Sequence, residues 1–312
     1  MKKPKVYIDG KEGTTGLQIF DRLAARQDIE LLLIDEDKRK DPQERKKLLN
    51  AADLAFLCLP DQAAREAVAL IDNHTTRVID ASTAHRTAPD WAYGFPELRG
   101  RRGRILGARR VANPGCHATG FLSGVVPLVE LGILPEDYPV TCYSLTGYSG
   151  GGKKMIAQYE GEKTPDLFSP RTYGLNLAHK HLPEMTAQAG LSQPPVFCPV
   201  VDDYYKGMET VTMFHNRLLR GQPTAEDLRE MLAGYYEDQA LVHVAPFGEN
   251  PAQLAANTMA GRDDLTLFVC GNESRTAVIA LFDNLGKGAS GAAVQNMNLM
   301  LGFAETAGLQ TE

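Results

Sequence analysis

The chain has 312 residues, beyond the usual single-domain size, so two domains are the starting expectation. Its 43% hydrophobic and 23% charged residues are ordinary for a globular protein, and a net charge of −6 argues against a nucleic-acid footprint, which needs a basic face. No apolar stretch approaches the roughly 20 residues that span a bilayer, and the opening Met-Lys-Lys-Pro-Lys carries no signal-peptide core, so neither membrane insertion nor secretion is expected. Lys5 to Asp9 reads as a strand, and Thr15 to Arg26 as a helix with Leu17, Phe20 and Leu23 on one face. Ile29 to Ile34 is a continuous apolar run, the pattern of a strand buried on both faces. Leu54 to Leu59 repeats it and ends at Pro60, after which Asp61 is expected to cap a helix through Ile71. Val78 to Asp80 is another short strand, and this alternation predicts an α/β domain with a doubly wound parallel sheet.

From about Val140 the pattern changes. Val140 to Leu145, Val196 to Val201, Gly207 to Phe214, Leu241 to Val244, Leu265 to Val269 and Ala277 to Phe282 read as strands with few helices between them. The expected result is a mixed or antiparallel sheet with one face covered. Thr224 to Tyr236 reads as a helix opened by a Thr224/Asp227 capping arrangement, and Ala289 to Ala304 as a closing helix with Ala293, Met297 and Met300 in register.

Gly10, Gly13, Thr14, Thr15 and Gly16 lie between the first strand and the first helix, where glycines admit a pyrophosphate and a helix N-terminus offers amide donors. The spacing is GxxGxxG, and its place after an N-terminal buried strand favours a dinucleotide site over a plain turn. Asp35 closes the second strand, where an acid normally holds a ribose 2′-hydroxyl, while Lys38, Arg39 and Lys40 follow and suit a 2′-phosphate. The pattern alone leaves that choice open.

The strongest signal is Ala112 to Gly120, in which Pro114-Gly115 turns the chain and Cys116 starts an apolar helix running to about Leu131. A thiol at a helix N-terminus has its thiolate stabilised by the dipole and the free amides, and those amides can hold an oxyanion. Five cysteines (58, 116, 142, 198 and 270) without CxxC spacing indicate neither a disulfide frame nor a zinc site, and free thiols point to the cytoplasm. Cys58, Cys198 and Cys270 sit inside apolar strands and read as buried packing residues. His179 and His181 form an HxH pair followed by Pro183 and Glu184. With no third ligand at a metal spacing, they fit a general base for thiol chemistry better than a metal site. His74, His215 and His243 read as ordinary surface or sheet residues. The loop Gly147 to Lys154, with Ser149 and Gly150, matches GxxxxGK, but Lys154 replaces the Ser/Thr that holds magnesium in a nucleotide hydrolase. Contact with a cofactor or a phosphate is the better reading. Asn284, Gly288 and Gln295 around the closing helix suit close approach to a flat ligand, with a helix-entry turn as the bland alternative.

Together the Gly10 to Gly16 turn, Asp80 to Arg86, Tyr93 to Leu98, the Asn113-Pro114-Gly115-Cys116 turn, the Ser149 to Lys153 loop, HxHxPE and Lys287 to Gly291 with Val294 to Asn298 resemble the N-acetyl-γ-glutamyl-phosphate reductases, specifically their shorter second type. The resemblance implies a Rossmann-type domain over residues 1–115, completed by 287–312, and a glyceraldehyde-3-phosphate-dehydrogenase-like α+β catalytic and oligomerisation domain over 116–286. It implies NADP(H)-dependent reduction of an acyl phosphate to N-acetylglutamate semialdehyde in arginine biosynthesis, by a homo-oligomer (dimer or tetramer). By position Cys116 is the nucleophile and His181 or His179 the base, with His181 favoured and His179 given to substrate. Ser82, Arg86, Asn113 and Glu184 are substrate-side candidates; the glycine turn, Lys38, Arg39, Lys40, Ser149, Gly150, Asn284, Gly288 and Gln295 are cofactor-side ones. A reductase of aspartyl phosphate and a catalytically silent dinucleotide-binding regulator are the alternatives, the latter disfavoured by Cys116 at its turn.

Overall fold

A computed structural model describes residues 2–248 and 252–311. The chain divides into two compact units, one of Met1–Pro114 with Ala289–Leu309 and one of Gly115–Gly288 with Gln310–Glu312.

The first unit alternates strand and helix: β1 (Lys5–Asp9), α1 (Thr14–Ala24), β2 (Glu30–Leu32), α2 (Pro42–Ala51), β3 (Leu54–Leu57), α3 (Asp61–Ala69), β4 (Arg77–Asp80), β5 (Ala92–Tyr93), α4 (Arg101–Gly107) and β6 (Arg110–Ala112). The strands form one all-parallel sheet in the order β2-β1-β3-β4-β6-β5. Alternate strand residues serve opposite faces, as the two-residue period requires. Val6, Ile8, Leu54 and Phe56 pack with Ile19, Leu23, Met297 and Met300 on one side. Tyr7, Ala55 and Leu57 pack with Leu49, Ala67 and Trp91 on the other. Each fully buried Leu or Phe contributes about 1.5–3 kcal/mol, so the sheet is held from both faces.

Two expectations need correction here. The apolar run at Ile29 to Ile34 is a three-residue edge strand, not one buried on both faces; Leu33 is 64% exposed. Edge position removes one neighbour, and periodicity cannot report it. Asp61 does not cap α3, whose N-cap is Pro60. Its carboxylate instead accepts the backbone N–H and the hydroxyl of Thr83, at 2.9 and 2.5 Å.

The second unit opens with α5 (Cys116–Glu130) and continues through β7 (Thr141–Gly147), α6 (Gly152–Glu160), β8 (Arg171–Thr172), α7 (Leu182–Ala189), β9 (Val196–Asp202), β10 (Met208–His215), α8 (Ala225–Tyr235), β11 (Val242–Val244), β12 (Leu265–Gly271) and β13 (Arg275–Phe282). The mixed sheet runs β11-β12-β13-β10-β7-β9-β8. Helices α6 and α7 are more helix than the strand pattern anticipates, whereas α8 carries the expected Thr224/Asp227 capping box. α5 is apolar on nearly every side and correspondingly buried, a core helix rather than a surface one. One sheet face is closed: Cys142, Ser144 and Thr146 of β7 and Met208, Thr210 and Thr212 of β10 are buried. The opposite face is partly open, with Val196 57% and Met213 43% exposed. A π-helical turn, Gly286–Ser290, then leads into α9 (Gly291–Leu301), later than the expected start at Ala289, and α9 rejoins the first unit.

Candidate active site

In the second unit Cys116 begins α5, and Gly115, its N-cap, makes no side-chain cap. Glu184, 2% exposed in the first turn of α7, accepts the Gly115 N–H at 2.9 Å, so a buried carboxylate clamps the extended residue just before the nucleophile. Gly288 closes against the other side: a Cβ there would lie 2.9 Å from the Cys116 Cβ. Its glycine is therefore needed for close approach to the thiol.

Three histidine rings gather near the start of α5. His117 lies 5.3 Å from His179 and 5.7 Å from His181, and His179 meets His181 edge-on at 4.8 Å. The His181 backbone N–H donates to His179 Nδ1 at 3.2 Å. Burial, reinforced by the Lys180 charge, lowers the His179 pKa to about 4. His117 is buried and its pKa falls to about 3, chiefly from desolvation. Its Nδ1 meets Ser144 Oγ at 2.9 Å and its Nε2 meets the Tyr173 hydroxyl at 2.6 Å. Sequence reasoning missed both His117 and Tyr173. A signal existed for His117: a polar residue in a helix apolar all round must be buried and therefore hydrogen-bonded.

In the first unit, the GxxGxxG turn is a cradle. Gly10 has φ +88°, a backbone state L-residues rarely adopt, and a Cβ there would strike the Cys58 carbonyl. The α1 N-cap is Gly13, which brings no side-chain acceptor to the first-turn amides of Thr14, Thr15 and Gly16. Beside the turn is a cavity of about 410 Å³ whose lining includes Gly10, Lys11, Leu31, Arg39, Lys40 and Arg45. Its size and glycine wall fit a nucleotide. Arg45 is held by Asp9, at the end of β1, through contacts of 2.8 and 3.2 Å. Lys38 and Asp35, both exposed, pair with each other at 3.0 Å, and that bond raises the Lys38 pKa. Arg45 is the cation the sequence reading left out.

Several other expected ligand contacts are committed to the fold. Ser149 and Asn284, both buried, bond each other at 3.0 Å, and Asn284 also accepts the Gly207 N–H. Gly150 lies beside Thr146. Gln295, fully buried in α9, donates to Glu97 and Glu305 at 2.7 Å each. Ser82 donates to the buried Asp80, which also meets His85 Nδ1 at 2.6 Å. Arg86 donates to the carbonyls of Asn113 and Ala81, and Asn113 is bonded by Asn296 and to Ala289.

A dinucleotide cradle in one unit and a helix-start cysteine among histidines in the other define a class, and comparison with known proteins agrees. Residues 116–284 match the family description "Semialdehyde dehydrogenase, dimerisation domain", and residues 32–104 match "Semialdehyde dehydrogenase, NAD binding domain". The chain belongs to the semialdehyde dehydrogenase family, and is thus an oxidoreductase that uses a nicotinamide dinucleotide. Within the family it is 47% identical to the N-acetyl-gamma-glutamyl-phosphate reductase 2 of Nostoc sp., covering 99% of this chain and 100% of that protein. It is 50% identical to the N-acetyl-gamma-glutamyl-phosphate reductase of Sinorhizobium medicae, covering 96% and 99%. Among solved structures, aspartate semialdehyde dehydrogenase II of Vibrio cholerae superimposes with a TM-score of 0.72 at 16% identity, over 96% of this chain and 99% of that one. At that identity the likeness concerns the fold. Among the described residues no helix is long and apolar enough to cross a membrane.

Proposed function

We propose that the protein reduces N-acetyl-γ-glutamyl phosphate to N-acetylglutamate 5-semialdehyde and phosphate, using NADPH and a thioester on Cys116, in arginine biosynthesis. The observation that carries this reading is Cys116 at the uncapped start of α5, clamped by Glu184 and set beside the histidine cluster. Relatives 47–50% identical over nearly the whole chain bear the name of that substrate.

Cys116 Sγ attacks the acyl carbon, the bond from that carbon to the phosphate oxygen breaks, and a thioester and inorganic phosphate result. His181 takes the thiol proton and passes it to the departing phosphate. The nicotinamide, when bound, supplies the hydride that turns the thioester into a hemithioacetal. Breaking the C–S bond then releases the aldehyde and returns Cys116 as a thiolate. One hydrogen bond supports the division of roles between the histidines. His179 is neutral near pH 7, and its Nδ1 already accepts the His181 N–H, so its proton resides on Nε2. That makes His179 a donor to substrate oxygen and leaves the base role to His181.

The glycine turn with Thr14 and Thr15 would hold the pyrophosphate, and Arg39, Lys40 and Arg45 the 2′-phosphate that favours NADPH. Self-association through the partly open sheet face is supported by the exposed Val196 and Met213 and by the name of the matching domain. Five free thiols suit the cytoplasm.

The test is cofactor reduction in the reverse direction. Oxidation of N-acetylglutamate semialdehyde is expected to require phosphate, with arsenate able to replace it, and Cys116→Ala abolishes both directions. Sustained turnover without phosphate, or a preference for aspartate semialdehyde, refutes the reading.

A further inference from the structure

Asp9 ends β1 and Arg45 belongs to α2, and both line the cavity beside the glycine turn. Their side chains are 4% and 14% exposed. A bare carboxylate on the wall of a nucleotide cavity accepts ribose hydroxyls and repels phosphate. Here both of its oxygens are committed to the guanidinium: Nε lies 3.2 Å from each of them, and Nη2 lies 2.8 Å from Oδ2. Asp9 thus grips one edge of a planar group through two nitrogens. Tyr7, 1% exposed on the same wall, has its pKa raised by burial and by the Asp9 charge, so as a neutral phenol it does not compete for Arg45.

A guanidinium carries five N–H donors fixed in one plane. Asp9 takes two, along the Nε–Nη2 edge, and three remain, two on Nη1 and one on Nη2. Among the described residues no other acceptor meets Arg45. A side chain so nearly buried ordinarily finds partners for its donors, and the open side of this one is the cavity. The Nη1–Nη2 end presents two parallel N–H groups, the arrangement that matches two oxygens of a phosphate. Of the other charged residues in the lining, Lys11, Arg39 and Lys40 outnumber Glu12 and Glu36, which favours an anion there.

We propose that Asp9 is a positioning residue for cofactor choice: its grip on the Nε–Nη2 edge fixes Arg45 so that the Nη1–Nη2 end closes on the 2′-phosphate of NADPH. The proposal rests on this cavity being the cofactor site, and adds the residue that turns Arg45 from a mobile charge into an oriented fork. Two effects of Asp9 oppose each other. Its charge repels the phosphate, while its grip removes the freedom that a long side chain otherwise loses on binding. Both partners are largely buried and the contact is bidentate, so orientation prevails.

The test is calorimetric titration of the whole protein with NADPH and with NADH, without acyl substrate. Asp9→Asn keeps the shape and loses the charge-assisted grip; it is expected to weaken NADPH binding about tenfold and to leave NADH within about twofold. Arg45→Lys leaves a point charge on a flexible stem and should give a loss of similar size. Asp9→Asn should then add little in the Arg45→Lys background, because it acts through the fork. A merely structural role for the pair would lower the melting temperature and weaken both cofactors alike. Tighter NADPH binding by Asp9→Asn, equal weakening of the two cofactors, or additive losses in the double variant overturns the proposal. If Asp9→Asn does not fold, Arg45→Lys carries the decision: an unchanged NADPH-to-NADH affinity ratio overturns it. Parental protein that binds neither cofactor would refute the cofactor reading of the cavity and the proposal with it, whereas failure of the acyl-phosphate reading leaves these titrations as expected.

Discussion

Gly288→Ala is a small substitution aimed at the nucleophile from behind. Gly288 has an ordinary φ, so alanine incurs no backbone penalty and the effect isolates packing. The added Cβ would sit 2.9 Å from the Cys116 Cβ, 3.2 Å from the Asp283 carbonyl oxygen and 3.2 Å from a Phe282 ring carbon. Carbon atoms rest at about 3.5–4.0 Å, so about 0.6–1.1 Å must be found at Cys116 alone. Asp283 O cannot yield freely, because it accepts the Gly288 N–H at 3.0 Å. Phe282 is fully buried in β13. Cys116, at the first residue of α5, is the part that moves. Overpacking of this kind costs about 1–3 kcal/mol, and a displacement near 1 Å of a reacting atom costs about 100-fold in rate. The expected outcome is a folded enzyme with a modest loss of urea stability and a fall in kcat of about 10- to 100-fold, with little change in KM for the cofactor. Steady-state kinetics beside urea denaturation separates the two effects. Parental kcat in a variant of parental stability would refute the close packing of Gly288 on Cys116.

Cofactor choice should follow the cavity rather than the basic run: Arg39→Ala with Lys40→Ala raises KM for NADPH by at least about tenfold, one charge-assisted contact being worth about 1.5–3 kcal/mol, while Lys38→Ala changes little. Equal effects of Lys38 and Arg39 in parallel kinetics would reverse that assignment. Acid should destabilise the fold through His117. Its folded pKa of about 3 lies below the unfolded value near 6.5, so the unfolded chain binds the extra proton, and stability is complete above 6.5 and declines as pH falls towards 3. Between pH 7 and 5 this amounts to about 2 kcal/mol, and urea midpoints should show a smaller decline in His117→Gln; identical declines would mean that His117 is not the group responsible. Glu184→Ala, which leaves the buried Gly115 N–H without its carboxylate, should lower stability by about 1–3 kcal/mol and slow Cys116 alkylation, whereas Glu184→Gln retains an acceptor and most of the stability.

Sequence by itself determined the features whose free energy is local. Cys116 at a helix start and the Thr224/Asp227 capping box each involve residues within a few positions of one another, whereas the turn expected at Pro114-Gly115 is extended chain. The strand–helix alternation and the later change to strands likewise lie along the chain, and they gave the two sheets and their order of appearance. Tertiary structure decided whatever depends on a distant neighbour. That Leu31 to Ile34 line an edge and a cavity, rather than a buried strand, follows from which strands β1 pairs with. Lys38 and Arg39 are adjacent in sequence, yet one turns to Asp35 and the other lines the pocket, and an apolar or charged pattern has no term for that difference. Arg45 gains its place only through Asp9, 36 residues earlier. His117 finds Ser144 27 residues away and Tyr173 56 residues away. The physical reason is that burial converts a weak polar preference into an obligation to find a partner, and which partner comes within 3 Å is settled by the packing of α5 on the sheet, which no short window of sequence contains.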